Sequence, residues 1–561
     1  MQKLCIGFLI EKLELNQYDI DLINFVSNNK HFETPFIITG YQSINLKKKS
    51  TYVHKYVYEP ISKFIRNILL IIIKRIETRK VSDISLQHIS KSKFSRNKEK
   101  SFQEEISSII KSYRLIDYSE NTSILELVGE NFDYLVHLGS NNLPEDIFKI
   151  SKFGVISIRY GNNDEKFSEL TGFCEVLNSE PSTRFSIFKE NNTQGKVEIF
   201  YNANLMTANI WHANKAQIIQ KGNFFLKEFL LKLATKSKLP SLKIVRSYES
   251  KTSNDVLNIS LLKYLITVIL PKIYNAITAK LFSSKIIRYS VAYAYHNNHR
   301  KSLDQYIEIL NPKGRFLADP FVFEHNNINY IFVEDFFYSD NKGRISVIKV
   351  EKNTYEFIDI VLEEDFHLSF PFIFSEDGQI YMIPESYENR DIRLYKCVEF
   401  PHKWQLENIL MFDVSAVDTI VIKRNHTWFM LTNICSAGLD DHQSELHIFY
   451  SDNLMSNIWH PIDKGNPVIF NSLKSRNGGL FYHNGKTYRV NQVHGHAHYG
   501  KSFDINEIVH LSKNKYEENK ILSINANFKN DIIATHHFSA NENIAAIDFT
   551  RYQRKRIAIK T

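Results

Sequence analysis

Cysteine, glycine, proline and long apolar runs are all scarce in this sequence, and each shortage excludes something. The 4 cysteines of 561 residues, Cys5, Cys174, Cys397 and Cys435, include no close pair. No CxxC redox motif and no cysteine-built zinc site is therefore present, and a reduced, cytoplasmic setting fits. With 19 glycines and 13 prolines, long disordered tracts are not expected. Residues 68–73 are aliphatic but flanked by Arg66, Lys74 and Arg75, and 259–281 is broken by Lys263, Pro271, Lys272 and Lys280. Neither supplies the roughly 20 uninterrupted apolar residues of a membrane span. That leaves buried helices, or helices lying in a membrane interface. The opening MQKLCIGFLIEKLEL has neither the basic start nor the long apolar centre of a signal peptide, and it reads as a first β-strand at 4–10.

What is present points to two domains. The chain is 43% hydrophobic and 13% aromatic, enough at this length for two large cores. Lysine and arginine (70) outnumber aspartate and glutamate (62) for a net charge of +8, and they crowd residues 47–114 and the final RYQRKRIAIK. Such runs are solvated surface, or they attract an anionic membrane face or a phosphorylated substrate. No nucleic-acid partner is expected.

The strongest pattern is a repeat. ADPFVFEHNNINYIFVEDF (318–336) and SFPFIFSEDGQIYMIPESY (369–387) share a plan: a Pro-marked entry, an aromatic and aliphatic strand, a polar turn, a second apolar strand, then an acid. The plan returns in VDTIVIKRNHTWFMLTN (417–433), RNGGLFYHNGKTYRVNQ (476–492) and, more weakly, HHFSANENIAAIDF (536–549). Intervals of roughly 45–60 residues are those of propeller blades, and the strands turn at Asn-Asn, Asp-Gly or Asn-Gly. Five copies predict a five-bladed β-propeller whose matching polar positions converge on the central axis.

Those positions carry chemistry. Asp319 opens the first copy, and Glu334 and Asp335 close it. Glu385 ends the second copy and Asp418 opens the third. His367, Arg476 and Gln492 are further pocket candidates, Arg476 being suited to a carboxylate or phosphate of a ligand. VHGHAHYG sets His494, His496 and His498 at alternate positions, one face of a strand. On a strand three imidazoles could bind a metal; the alternative is a loop or strand end whose histidines line the cavity or face water, and no metal and no cofactor is assigned.

The first half alternates strands and helices. Residues 1–45 read β-α-β with a helix at 18–27, 47–80 are helical in their later half, and 81–112 are a polar insertion. Short strands follow at 123–127 and 134–138. A helix at 144–150 has an acidic first turn that suits its dipole. GVISIRY is a buried strand, and 203–245 read as helical, with an amphipathic centre at 224–234. An α/β sheet results.

DYLVHLGSNNLPEDIFKISKFGVISIRYGNN resembles the core of the formyltransferase fold, in which a strand ends in Asn-x-His and an Asp follows further on. The resemblance implies that those three residues organise formyl transfer from a folate carrier. Here Ser157-Ile158-Arg159 replaces the Asn-x-His, and Asn191 and Asn192 stand where the Asp is expected. An arginine cannot shuttle the proton, so the domain is expected to be degenerate and formyl transfer is not expected. Arg159 is left as a candidate for holding an anion, helped by Arg184.

RFLADPFVF, DFHLSFPFIF, YMIPES and RLYKCVEFPHKW carry a second, more specific resemblance. It is to the N-terminal propeller domain of the glucosamine inositolphosphorylceramide transferases, also found in bacterial proteins after a degenerate formyltransferase-like domain. The same propeller resembles five-bladed glycosidases of the arabinanase and xylosidase type. That likeness implies Asp319 as base, Glu385 as acid and Asp418 as the residue tuning it. The expected architecture is an α/β formyltransferase-like domain at 1–245 with a basic insertion at about 47–114, a helical connector at 246–289, and an all-β five-bladed propeller at 290–561. The expected function is a carbohydrate-active or carbohydrate-binding protein of surface-glycan or glycolipid synthesis. It would take a sugar or nucleotide-sugar ligand in the propeller pocket, in the cytoplasm or on an anionic membrane surface. The alternatives are a glycoside hydrolase using the propeller carboxylates, and a non-catalytic scaffold.

Overall fold

The computed structural model describes residues 3–10, 15–39, 55–77, 114–117, 131–139, 143, 145–162, 170–190, 196–235, 243–246, 254–281, 285–295, 303–438, 441–463 and 465–554. The chain divides into two units, Met1–Tyr274 and Asn275–Thr561. The division falls inside the expected connector at 246–289.

The first unit is built on one eight-stranded sheet of order β3-β2-β1-β4-β5-β6-β7-β8. Its strands are β1 (Ile6–Leu9), β2 (Phe36–Thr39), β3 (Arg114–Asp117), β4 (Tyr134–His137), β5 (Val155–Tyr160), β6 (Ser182–Glu190), β7 (Lys196–Met206) and β8 (Lys243–Arg246). From β3 to β5 every pairing is parallel, and from β5 to β8 every pairing is antiparallel. Ile6, Phe8 and Leu9 are fully buried, as a continuous apolar run covered on both faces must be. Helix α1 (Gln17–Asn28) starts in a capping box, Asn16 Oδ1 accepting from Asp19 N–H at 2.9 Å and the Asp19 carboxylate from Asn16 N–H at 3.0 Å. The other helices are α2 (Lys55–Glu77), α3 (Phe173–Leu177), α4 (Trp211–Ala234), α5 (Asn254–Tyr264) and α6 (Leu270–Leu281), with a π-helical turn at Leu265–Ile269 joining the last two; the division between the units falls within α6.

Two readings of this half need correction. Residues 203–206 continue β7 and 243–246 form β8, so helix occupies only the middle of 203–245. YNANLM alternates buried and half-exposed side chains, the period of a strand. The element expected at 144–150 is a 3₁₀ turn, Glu145–Lys149. The strand expected at 123–127, most of the basic insertion, and Asn191 and Asn192 lie outside the described residues.

The second unit is a propeller of five sheets. Blades I to IV each begin with one of the first four sequence repeats, their opening hairpins being Arg315–His325 with Ile328–Phe337, Ser369–Glu376 with Gln379–Glu385, Ala416–Arg424 with Thr427–Ile434, and Asn477–His483 with Lys486–Gly495. Blade V is composite. Its inner strands Ile532–Ala534 and Phe538–Ala540 pair with Ile544–Arg554, which lies antiparallel to Lys285–Tyr295 over its whole length, from Ile544 opposite Tyr295 to Arg554 opposite Lys285. The first and last strands of the propeller thus share a sheet and close the ring. Val291, Tyr293, Ile544 and Ala546 are buried in one cluster with Leu317, Ile331 and Ile348 of blade I. Ala292, Ala545 and Ile547 are buried with Val490 and Phe503 of blade IV.

Candidate functional site on the propeller axis

One backbone device places the functional side chains. In blades I to IV the register of the opening hairpin slips at the same point, after Ala318, Ser369, Val417 and Asn477. The residue after the slip is Asp319, Phe370, Asp418 or Gly478, and the first three have left-handed φ of 49°, 43° and 49°. A bulge with positive φ re-aims a side chain out of the strand's alternation, and holding non-glycine residues there costs of order 1–3 kcal/mol each. Opposite the slip sit Glu334, Glu385, Asn433 and Asn491. The fourth copy's structural match to Glu334 is thus Asn491, with Gln492 beside it.

The site has two charged centres. In the first, His536 lies between two buried carboxylates, its Nε2 3.3 Å from Asp319 Oδ1 and its Nδ1 2.9 Å from Asp548 Oδ2. Burial opposes charge on this ring, but Asp548 and Asp319 outweigh it and lift the imidazole to about 10. Burial likewise opposes ionisation of Asp319, but His536 prevails, with His537 and Arg476 behind it, and holds its carboxyl below the ordinary value. The backbone N–H groups of His536 and His537 donate to Asp548 Oδ1 at 3.1 and 3.0 Å, and that of Phe370 to Asp319 Oδ2 at 3.3 Å.

In the second centre, Arg476 donates through Nε to Asp418 Oδ2 at 2.6 Å and through Nη1 to Gln443 Oε1 at 2.8 Å, with Nη2 3.7 Å from Glu385 Oε2. Its guanidinium lies 5.0 Å over the Tyr499 ring. Gln492 Nε2 also donates to Asp418 Oδ2, at 3.1 Å. Burial first, then the neighbouring Asp418 carboxylate, push Glu385 well above the carboxylate range despite Arg476. Burial and then Asp319 do the same to Glu334, which faces His367 Nε2 at 3.5 Å. His367 is held below its ordinary value by burial, and its Nδ1 accepts the Gly343 N–H at 3.0 Å. The proton of this neutral ring therefore sits on Nε2, toward Glu334.

The axis thus brings together carboxyl groups pushed in opposite directions, Asp319 down and Glu334 and Glu385 up, the separation that general acid and base require. It also holds buried polar atoms with no hydrogen-bond partner among the described residues: Gln492 Oε1, His494 Nε2 and both ring nitrogens of His537. His494 is pushed down to about 3, chiefly by burial, and accepts the Gly500 N–H on Nδ1 at 3.0 Å. Its Nε2–H is therefore a buried donor left over. Each such group costs about 1–3 kcal/mol unless something pairs with it.

The sequence-selected propeller residues Asp319, Glu334, His367, Glu385, Asp418, Arg476 and Gln492 come together in these contacts. Asp335 does not join the charged centres; it is fully buried and paired with Arg315 and Ser346. Arg159 belongs to the first unit, its guanidinium 4.4 Å over the Phe188 ring. A cavity of about 30 Å³ in that unit is lined by Asp19, His137, Ile158 and Tyr160. Ile158 and Tyr160 flank Arg159 in β5, so strand alternation sets Arg159 on the other face. The three histidines of VHGHAHYG do not share a strand face. The chain reverses between Gly495 and His498, which pair across a turn with Ala497 at φ 46°. Asp319, His536 and Asp548 could offer one ligand atom each to a cation, but both nitrogens of His536 already point at carboxylates, which reads as an ion pair.

His536, His537 and Asp548 were not selected from sequence, although they open and close the weak fifth repeat. Matching that copy position by position to Asp319 and Glu334 is the signal that finds them. Tyr499, whose ring stacks on His494 at 5.2 Å, carries no such signal.

Residues 307–541 match the model of the family described as Glucosamine inositolphosphorylceramide transferase 1, N-terminal. The chain is 35% identical over 253 residues to Glucosamine inositolphosphorylceramide transferase 1 of Arabidopsis thaliana, covering 42% of this chain and 32% of that protein. To the protein of the same name from Oryza sativa subsp. japonica it is 33% identical over 210 residues, 36% of this chain and 28% of that protein. The chain spans about a third of the length of the curated relatives it matches. Among solved structures, the catalytic domain of Coprinopsis cinerea GH62 α-L-arabinofuranosidase aligns at 10% identity with a TM-score of 0.32, over 46% of this chain and 97% of that one. The Cellvibrio cellulosa α-L-arabinanase complexed with arabinohexaose aligns at 13% identity with a TM-score of 0.28, over 36% and 77%. Overlaps this loose do not bear on activity. The matched residues lie within the propeller, and the formyltransferase resemblance of the first unit gains no support from them.

Proposed function

We propose, from the match of residues 307–541 to the glucosamine inositolphosphorylceramide transferase 1 N-terminal family, that this protein binds a sugar on the propeller axis and acts in the synthesis of a surface glycan or glycolipid. The observation that carries the reading is the set of buried, unpartnered polar atoms beside the carboxyls: Gln492 Oε1, His494 Nε2 and the His537 nitrogens. A hydroxyl-rich ligand supplies the donors and acceptors that these atoms lack. The site's two cations are already engaged, Arg476 with Asp418 and Gln443, and His536 with Asp319 and Asp548. These side chains therefore suit the sugar itself better than the diphosphate of a nucleotide sugar.

In this reading Glu385, kept protonated by burial and by Asp418, donates to the oxygen leaving the sugar. Asp319, kept ionised by His536, takes the proton of the incoming hydroxyl. If that hydroxyl is water, the same pair performs glycoside hydrolysis. The opposite shifts of Asp319 and Glu385 favour this as the second reading. The test is thermal stabilisation of the full chain by neutral oligosaccharides, nucleotide sugars and inositol phosphates, with Glu385→Gln as the paired variant. A sugar that raises the wild-type Tm, and raises it less for the variant, supports the reading. No shift with any sugar, or equal shifts in both proteins, overturns it. Release of free sugar into water selects hydrolysis.

A further inference from the structure

The outer faces of two helices in the first unit are apolar where a helix in water should be polar. On α2, Phe64, Ile68 and Ile71 form a stripe at helical spacing, Phe64 and Ile71 being 65% and 64% exposed. On the helix running from α5 through the π turn into α6, Leu262, Ile266 and Leu270 form a second stripe, more than half exposed at each residue. Although Lys263, Pro271 and Lys272 interrupt it, the helix at 259–278 is by length and mean hydropathy apolar enough to cross a membrane, yet only 17% of its most apolar stretch is buried. A core helix of that composition is mostly buried.

The inner faces of both helices are fixed. Ile73, Leu261, Tyr264 and Ile269 pack in one cluster with Trp211. A buried polar knot ties them together: Glu77, at the end of α2, accepts from the Tyr264 hydroxyl at 2.5 Å and from the His212 N–H at 2.8 Å, and its carboxylate lies 2.7 Å from His212 Nδ1. The exposed stripes are therefore held in place by ordered packing beneath them, and are not frayed helix ends.

Charge selects the occupant. Over the described side chains of these helices, 63–77 and 259–278, the one acid is Glu77, and it is buried in the knot. Lys63, Lys74, Arg75 and Lys263 are exposed beside the apolar stripes. A self-complementary interface between two copies would set these cations against one another, whereas an anionic bilayer pairs each with a headgroup while the stripes enter the acyl boundary. We propose that the first unit docks on an anionic lipid surface through the outer faces of α2 and α5–α6, lying in the interface and not spanning it. The inference stands apart from the sugar reading, since it uses no residue of the propeller.

The test is co-sedimentation of the full chain with vesicles of phosphatidylcholine alone and of phosphatidylcholine with phosphatidylglycerol. The wild type is expected to pellet with the mixed vesicles and to be released by salt. Ile71→Glu/Ile266→Glu, at exposed positions, is expected to weaken partitioning more than tenfold with an unchanged circular dichroism spectrum. Lys74→Glu/Arg75→Glu, which leaves the apolar stripes intact, is expected to weaken it at least fivefold for each charge. Wild type that stays in the supernatant with mixed vesicles overturns the proposal, as does either variant pelleting like wild type. So does a wild-type dimer that the Ile71→Glu/Ile266→Glu variant converts to monomer without vesicle binding by either, which would make the face a contact between copies.

Discussion

His536→Gln probes the charge that the propeller axis is built around. In the wild type, Asp319 and Asp548 approach the two ring nitrogens at 3.3 and 2.9 Å and lift the imidazole from 6.5 to about 10 against the opposing effect of burial. At ~1.4 kcal/mol for each tenfold in proton affinity, this is worth about 5 kcal/mol below pH 6.5 and about 4 kcal/mol at pH 7, and it is lost as pH rises through about 10. Removing the cation leaves two carboxyls facing each other without it, so a loss of about 3–5 kcal/mol is expected. At ~2 cal/mol/K of unfolding entropy per residue, that lowers the Tm of a unit the size of Asn275–Thr561 by about 5–8 °C. Three of the four tryptophans, Trp404, Trp428 and Trp459, lie in the propeller, so tryptophan fluorescence of the full chain follows this unit. The difference between wild type and His536→Gln should shrink steadily from pH 7 to pH 10. A Tm change below about 2 °C at pH 7, or a difference that keeps its size to pH 10, would refute a charged His536.

Arg476→Met strands the Asp418 carboxylate in a buried site and is expected to cost about 3–5 kcal/mol in denaturant melts; Arg476→Lys should recover part of the loss but not the Gln443 contact. Gly479 has φ 126°, and a Cβ there would meet the Phe538 carbonyl at 2.2 Å, so Gly479→Ala should lower propeller stability by more than ~3 kcal/mol. Gly465→Ala, at φ 79° with open space around it, should cost only the ~1 kcal/mol of a left-handed backbone. Because Glu385 is held protonated well above the carboxylate range, sugar turnover or binding that needs its proton should fall as pH rises through the raised value. The Glu385→Gln variant should lose that limb.

The repeat made the propeller legible because each opening hairpin is a local unit: two strands, a tight turn and an entry residue, all within about 20 residues of sequence. Asp319, Glu385 and Asp418 could be selected for the same reason, since each stands at a fixed place in its copy. What sequence spacing does not carry is pairing between copies. Asp319 is 217 positions from His536, and Arg476 is 58 from Asp418; only closing the ring sets these pairs side by side. The three histidines of VHGHAHYG show the opposite case, the structure giving the strand end and turn of the two readings open to them. Their alternation is that of a strand, but the chain turns through His496 and Ala497, the latter at φ 46°, and a local turn overrides the period.

Blade V shows why the weakest repeat supplies the centre of the site. Its inner edge is made of two short strands, Ile532–Ala534 and Phe538–Ala540, and the break between them is where His536 and His537 turn their backbone N–H groups onto Asp548. A continuous strand would spend those N–H groups on ladder pairing. The interruption that blurs the sequence pattern is thus the feature that frees donors for a buried carboxylate, and that carboxylate in turn holds His536 charged beside Asp319. Asp319 reaches that position only because the bulge at the entry of blade I gives it a left-handed backbone. Two departures from regular β-structure, one in the first blade and one in the last, meet across the ring closure, so joining Lys285–Tyr295 to Ile544–Arg554 both completes the fold and assembles the charged centre. Loosening that closing strand should therefore disturb the ionisation of Asp319 and His536 before it unfolds blades II and III.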